Sequence, residues 1–196
     1  MKKCFPKSLF FILLGILFLS GICLADEEKT KGIQAIEFLG GFAKAKLQEK
    51  GNYITGPFIV GIDFDFKPIA KKIGINTKNL LQFQLEPYIA PVYEPKSNIE
   101  IGNGFVLKAG FLPETSKLQP YIKGSVGLLY MTMHTREQST QFNFFEYAGI
   151  GMHYFFTKNS AFTVEYHYRH ASNSSMGDRN HGINSQFALM GLAYKF

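Results

Sequence analysis

Polarity alternates with a period of two along most of the chain, which is the repeat of a β-strand whose successive side chains point to opposite faces. Segments of roughly ten residues or more carry this pattern, and they fall near 33–45, 53–66, 81–93, 99–112, 120–133, 142–156, 160–171 and 184–196. The segment at 99–112 is the clearest. It sets Ile99, Ile101, Phe105, Leu107, Ala109 and Phe111 against Glu100, Gly102, Gly104, Lys108 and Gly110. The segment at 53–66 does the same with Ile54, Phe58, Val60, Ile62, Phe64 and Phe66 opposite Tyr53, Thr55, Asp63 and Asp65. The pattern predicts an all-β chain of antiparallel strands, each with one apolar and one polar face.

Alternation alone suits either a soluble sandwich, with the apolar face buried, or an inside-out barrel, with that face toward lipid. Three features favour an eight-stranded antiparallel transmembrane β-barrel. The last segment carries Met190, Leu192, Tyr194 and Phe196 on one face, resembling the assembly signal of outer-membrane proteins. The strand count is even and an export leader precedes the strands. Tyr and Phe crowd the strand ends, as an interfacial girdle requires. A barrel of this size has an interior that side chains fill rather than a pore. Glu37, Asp63, Glu86, Glu100, Lys108, Lys123, Glu165, His167, Arg169 and Lys195 are expected to pair across it.

Composition supports this picture and narrows the chemistry. Hydrophobic residues make up 46% of the 196 residues and charged residues 18%, with 20 Phe, 10 Tyr and 19 Gly, too apolar for disorder and too Gly-rich for a helical bundle. Met1 to Lys7 is a basic stretch, Ser8 to Gly21 an apolar run, and Cys23-Leu24-Ala25 a peptidase site. Residues 1–25 are therefore expected to be a signal peptide and 26–196 the barrel. The apolar run falls short of the roughly 20 residues that span a bilayer core. A lipid-anchored Cys23 is disfavoured because Ile22 stands where a lipobox wants a small residue. Half of the formal net charge of +6 belongs to Lys2, Lys3 and Lys7 of the leader, so nucleic acid is not an indicated partner. Cys4 and Cys23, the two cysteines, also leave with the leader, and with them thiol chemistry.

Candidate chemistry collects at the end of the seventh predicted strand. With both termini periplasmic, that strand ends at the extracellular rim. Its faces are Phe162, Val164, Tyr166 and Tyr168 against Glu165, His167 and Arg169, so strict alternation puts His170 and Ser172 on the apolar, lipid-facing side. They fall near the outer-leaflet headgroup level, where lipid ester bonds lie. A serine needs a base to lose its proton, and imidazole serves near neutral pH.

The segment Tyr168-Arg169-His170-Ala171-Ser172-Asn173, followed by Asn180-His181-Gly182-Ile183-Asn184-Ser185 and a strand ending Tyr194-Lys195-Phe196, resembles the PagL family of outer-membrane lipid A 3-O-deacylases. The likeness is close over about the last 30 residues and elsewhere rests on length, leader and strand pattern. It implies a serine-esterase site on the barrel's outer wall, open to lipid A. His170 would be the base and Ser172 the nucleophile that attacks the ester of the 3-linked hydroxyacyl chain. Asn173, through its backbone N–H, and Asn180, through its side chain, fall at the oxyanion-hole positions. Where the family's acid, a glutamate, falls, this sequence has Asn184, an amide able to orient the imidazole but not to stabilise imidazolium by charge. Asp178 and Glu146 are alternative acids, each more simply read as a solvated rim charge.

The competing reading is a non-enzymatic small barrel with a structural, adhesive or lipid-binding role. A polar His-x-Ser pair on a lipid-facing wall favours the enzyme. The partners this implies are lipid A in lipopolysaccharide and the outer membrane, and a homodimer is compatible with the reading. His134, His153 and His181 have no metal-ligand spacing, and no cofactor is implied. Asn173-Ser174-Ser175 matches a glycosylation sequon only incidentally, and Lys67, Lys71, Lys72 and Lys78 read as a solvated turn.

Overall fold

The computed structural model describes residues 32–196, so the expected leader lies outside the described residues. In chain order the elements are β1 (Ile33–Leu47), β2 (Gly51–Thr55), β3 (Phe58–Asp65), α1 (Lys67–Lys72), β4 (Asn79–Glu94), β5 (Asn98–Pro113), β6 (Leu118–Met131), β7 (Phe142–Phe155), β8 (Ser160–Ser172) and β9 (Ile183–Lys195). From β3 onward each strand pairs antiparallel with the next, and β9 returns to β1 from Ala35↔Lys195 to Ala45↔Ser185. The sheet closes on itself, and closure removes the unpaired edge that an open sheet would expose. Two glycines permit the closing seam. A Cβ on Gly191 would overlap the Phe38 carbonyl oxygen, and one on Gly41 would overlap that of Ala188.

The segment expected at 53–66 proves to be two strands in one track. Ala43↔Thr55 and Gly40↔Phe58 keep a single register along β1, so the nine strands fill eight positions around the ring. Gly56-Pro57 makes the break. Proline has no N–H for the ladder, the Gly56 N–H donates to Pro91 O at 2.9 Å, and the register against β4 shifts between Ile54 and Thr55. The facing pattern survives, with Tyr53, Thr55 and Ile59 all buried.

Exposure decides between sandwich and barrel. Leu107, Ile122, Val126, Ile150 and Met190 are 48–62% exposed, whereas Glu37, Asp63, Lys108, Lys123 and Arg169 are at most 3% exposed. A sandwich would bury the first set and solvate the second. The inverted pattern is that of a wall facing hydrocarbon around a polar filling.

The filling is a set of ion pairs. Lys108 bonds Glu37 and, at 3.2 Å, Asp63. Lys123 bridges Glu86 at 2.5 Å and Glu165 at 2.8 Å. Arg169 grips both carboxylate oxygens of Glu100 at 3.1 Å, and His167 Nε2 lies 2.7 Å from Glu165 Oε2. Lys195 departs from the expectation: it sits half-buried at the rim, 4.0 Å from Glu114, because the barrel opens there. Tyrosines not anticipated from charge alone complete the packing. Tyr53 donates to Glu100 at 2.7 Å, and Tyr121 and Tyr147 donate to Glu165 and Glu86 at 2.5 Å. Each buried charge thereby has a partner, the condition for tolerating it inside.

The two rims differ. One carries the turns at 48–50 and 95–97 and the loops at 132–141 and 173–182; the other carries α1 and the turns at 114–117 and 156–159. The first is called the loop rim below.

Candidate active site

β8 runs toward the loop rim with Glu165, His167, Arg169 and Ala171 buried inside and Phe162, Tyr166 and Tyr168 exposed outside. His170 and Ser172 continue the outer set and are half-buried. What stiffens this stretch lies directly beneath it. Arg169, fixed by Glu100, stands 4.7 Å from the Phe187 ring centroid and 5.9 Å from that of Phe145, and donates to the Tyr88 hydroxyl at 3.1 Å. The residues flanking Arg169 on β8 are thus held by an interior clamp of charge-assisted hydrogen bonds.

Across the outer wall, strand pairing lines up three polar residues. His170 pairs with Glu146 on β7 and with Asn184 on β9. His170 Nδ1 lies 2.7 Å from Asn184 Oδ1. With the amide oxygen accepting, Nδ1 carries the proton and Nε2 presents its lone pair. Glu146 is exposed on the same outer face, and Asp178 is exposed in the loop that follows β8. Neither makes a hydrogen bond or ion pair with His170 among the described residues. Ser172, two residues on and paired with Phe144, has an Oγ with no hydrogen bond to any described residue.

Asn173 ends the strand and turns the chain. It is fully buried. Its Oδ1 accepts from the Ser175 N–H at 3.0 Å, its Nδ2 donates to Arg179 O at 2.8 Å, and its N–H donates to Asn180 Oδ1 at 2.9 Å. Ser174 and Ser175 adopt left-handed backbone with φ of 51° and 61°, a conformation that this side-chain capping stabilises. A backbone N–H must meet oxygen, so the bond to Asn173 fixes the Asn180 amide orientation and leaves Nδ2 as a donor; the same bond engages the Asn173 N–H expected at the oxyanion hole.

Sequence reasoning missed two supports of this arrangement. The loop at 132–141 grips the loop at 173–182: Gln138 Nε2 donates to Ala171 O at 3.2 Å, the Ser139 N–H to Arg179 O at 3.2 Å, and the His181 N–H to Glu137 O at 3.0 Å. No periodicity marks these residues, because loop-to-loop bonds leave no repeat. Gly182, with φ 73°, lies against the imidazole so closely that a Cβ there would overlap His170 Cε1. Its positive φ and this contact both require glycine, and only its place in Asn-x-Gly hinted at the need.

An antiparallel barrel of eight positions, apolar outside and filled with ion pairs inside, is a small outer-membrane β-barrel. The chain belongs to the PagL family: the model for lipid A 3-O-deacylase (PagL) matches residues 60–193, which places it in the bacterial outer membrane. Among solved structures it is similar to the outer membrane enzyme PagL, at 16% identity and a TM-score of 0.58 over 81% of this chain and 97% of that one. Neisserial surface protein A matches at 17% identity and a TM-score of 0.60, covering 83% and 96%. OprG from Pseudomonas aeruginosa matches at 14% and 0.50, covering 84% and 97%. At such identities these likenesses speak for the fold. No curated protein matches the chain.

Proposed function

We propose that this protein is a lipid A 3-O-deacylase working as a serine esterase, with Ser172 as nucleophile, His170 as general base and Asn184 as the residue that orients the imidazole. The observation that carries the reading is the 2.7 Å bond from His170 Nδ1 to Asn184 Oδ1, made on a lipid-facing wall two residues from a serine. It directs the basic Nε2 away from Asn184. Ser172 Oγ surrenders its proton to Nε2 and attacks the ester carbonyl of the 3-linked hydroxyacyl chain. The tetrahedral oxyanion is received by Asn180 Nδ2, whose aim depends on the Asn173 N–H holding Oδ1; one such donor is worth about 3 kcal/mol of barrier. His170 then protonates the departing sugar oxygen, and water releases the hydroxy acid from Ser172 by the same steps in reverse roles. The serine–imidazole bond, absent in the free protein, forms when substrate fills the site, as catalytic hydrogen bonds commonly do.

The test is covalent labelling. A fluorophosphonate that reacts with activated serines should modify the folded barrel in detergent, at Ser172 by peptide mass mapping, and should fail with His170→Asn. A barrel that no such probe modifies, and that releases no hydroxy acid from lipid A, would be a non-enzymatic member of its fold.

A further inference from the structure

Within the described strands, the basic side chains on the outer wall are confined to one sector. They are Lys44 and Lys46 on β1 and His170 on β8, with the acid Glu146 beside them on β7; Glu94, exposed at the end of β4, pairs with Ile54 across a register shift and adds no positive charge. Lys44, Lys46, Glu146 and His170 stand toward the loop rim on β1, β7 and β8, a sector that β9 makes continuous. At the same rim the remaining wall presents Tyr93, Ile101 and Tyr130, the aromatic and aliphatic surface expected at a lipid boundary.

The two lysines adjoin the candidate site through the closing seam. Lys44 pairs directly with Gln186, and Ala45 with Ser185, so the next step in register brings Lys46 level with Asn184. Asn184 in turn pairs with His170. His170 and Lys46 are therefore two strand spacings apart, about 10 Å. Lys44 and Lys46 are both exposed, and neither makes an ion pair or hydrogen bond among the described residues. Being two apart on a strand, their side chains leave the same face about 7 Å from each other, a separation over which two flexible ammonium arms can converge on one anion. A phosphate monoester, with up to two negative charges and three acceptor oxygens, suits such a pair. A cation at this depth costs little by itself, about 0–1 kcal/mol, so the argument rests on the sector and its register with His170 and not on the cost.

We propose that Lys44 and Lys46 form a phosphate-binding subsite that seats a phosphorylated glycolipid on the wall with its ester toward Ser172. This rests on the esterase reading for what the subsite serves, but its binding can be measured separately. The chemistry selects against neutral or dephosphorylated lipids, whose esters would reach the wall unanchored.

The experiment uses the full barrel in detergent carrying Ser172→Ala, which prevents turnover, and measures binding of lipid A and of phosphatase-treated lipid A in micelles. The phosphorylated form should bind roughly tenfold more tightly. That preference should disappear in Lys44→Ala/Lys46→Ala and persist in Lys44→Arg/Lys46→Arg, with folding of each checked by gel mobility before and after boiling. Equal binding of the two lipids, or a preference unchanged by the alanine pair, would overturn the subsite. Turnover by the protein with Ser172 intact is the separate arm. Phosphate-dependent binding without any deacylation would remove the esterase reading and keep the subsite; deacylation together with equal binding of the two lipids would do the opposite.

Discussion

In the proposed mechanism, Asn184 occupies the position that decides how well His170 can work. Its Oδ1 holds Nδ1 at 2.7 Å, which sets tautomer and ring direction, yet an amide offers no charge to the imidazolium formed during attack. Asn184→Glu should therefore retain or raise kcat, and Asn184→Ala should lower kcat about tenfold or more with KM little changed, the pattern of an interaction that matters chiefly in the transition state. Full activity in Asn184→Ala would pass the orienting role to Glu146, its counterpart across β8. Gly182 makes a second test at this scale. Gly182→Ala should cut kcat strongly while barrel assembly stays normal, because the new methyl group displaces the ring and strains a backbone at φ 73°. The outward placement of His170 and Ser172 was legible in the sequence because a period-two pattern continues through them onto the lipid side. The buried turn built by Asn173 was not, since hydrogen bonds between a side chain and its own loop leave no periodic trace.

At the scale of elements, the sequence showed most strands to within a few residues, because each is long enough for alternation to be unambiguous. It missed the division of β2 from β3, where Gly56-Pro57 interrupts the ladder without changing which face is buried. Faces are what the pattern records; hydrogen bonds are not. The interior pairing followed the same logic, and Lys195 escaped it because proximity to a rim cannot be read from alternation. Lys123, between Glu86 and Glu165, carries the clearest energetic consequence. Lys123→Met should destabilise the barrel by about 3–5 kcal/mol, since it strands two buried carboxylates without their cation, and urea unfolding in detergent would show the lowered midpoint. A midpoint equal to that of the unaltered protein would mean that the interior charges are not coupled as the bonds indicate.

For the whole molecule, the barrel and the site are one construction. The filled interior gives β8 a rigid backing, closure through Gly41 and Gly191 brings β1 beside β9, and the two long loops bind each other over the end of β8. A wall built this way holds polar groups at the lipid boundary without opening a pore, which is what an enzyme acting on a membrane lipid requires. The account turns on Ser172. Mass spectrometry of lipid A from cells producing either the unaltered protein or Ser172→Ala, at equal levels of folded barrel, tests it most directly. The unaltered protein should yield lipid A lighter by one 3-linked hydroxyacyl chain, and the variant should leave lipid A intact; the same loss in both would contradict the mechanism.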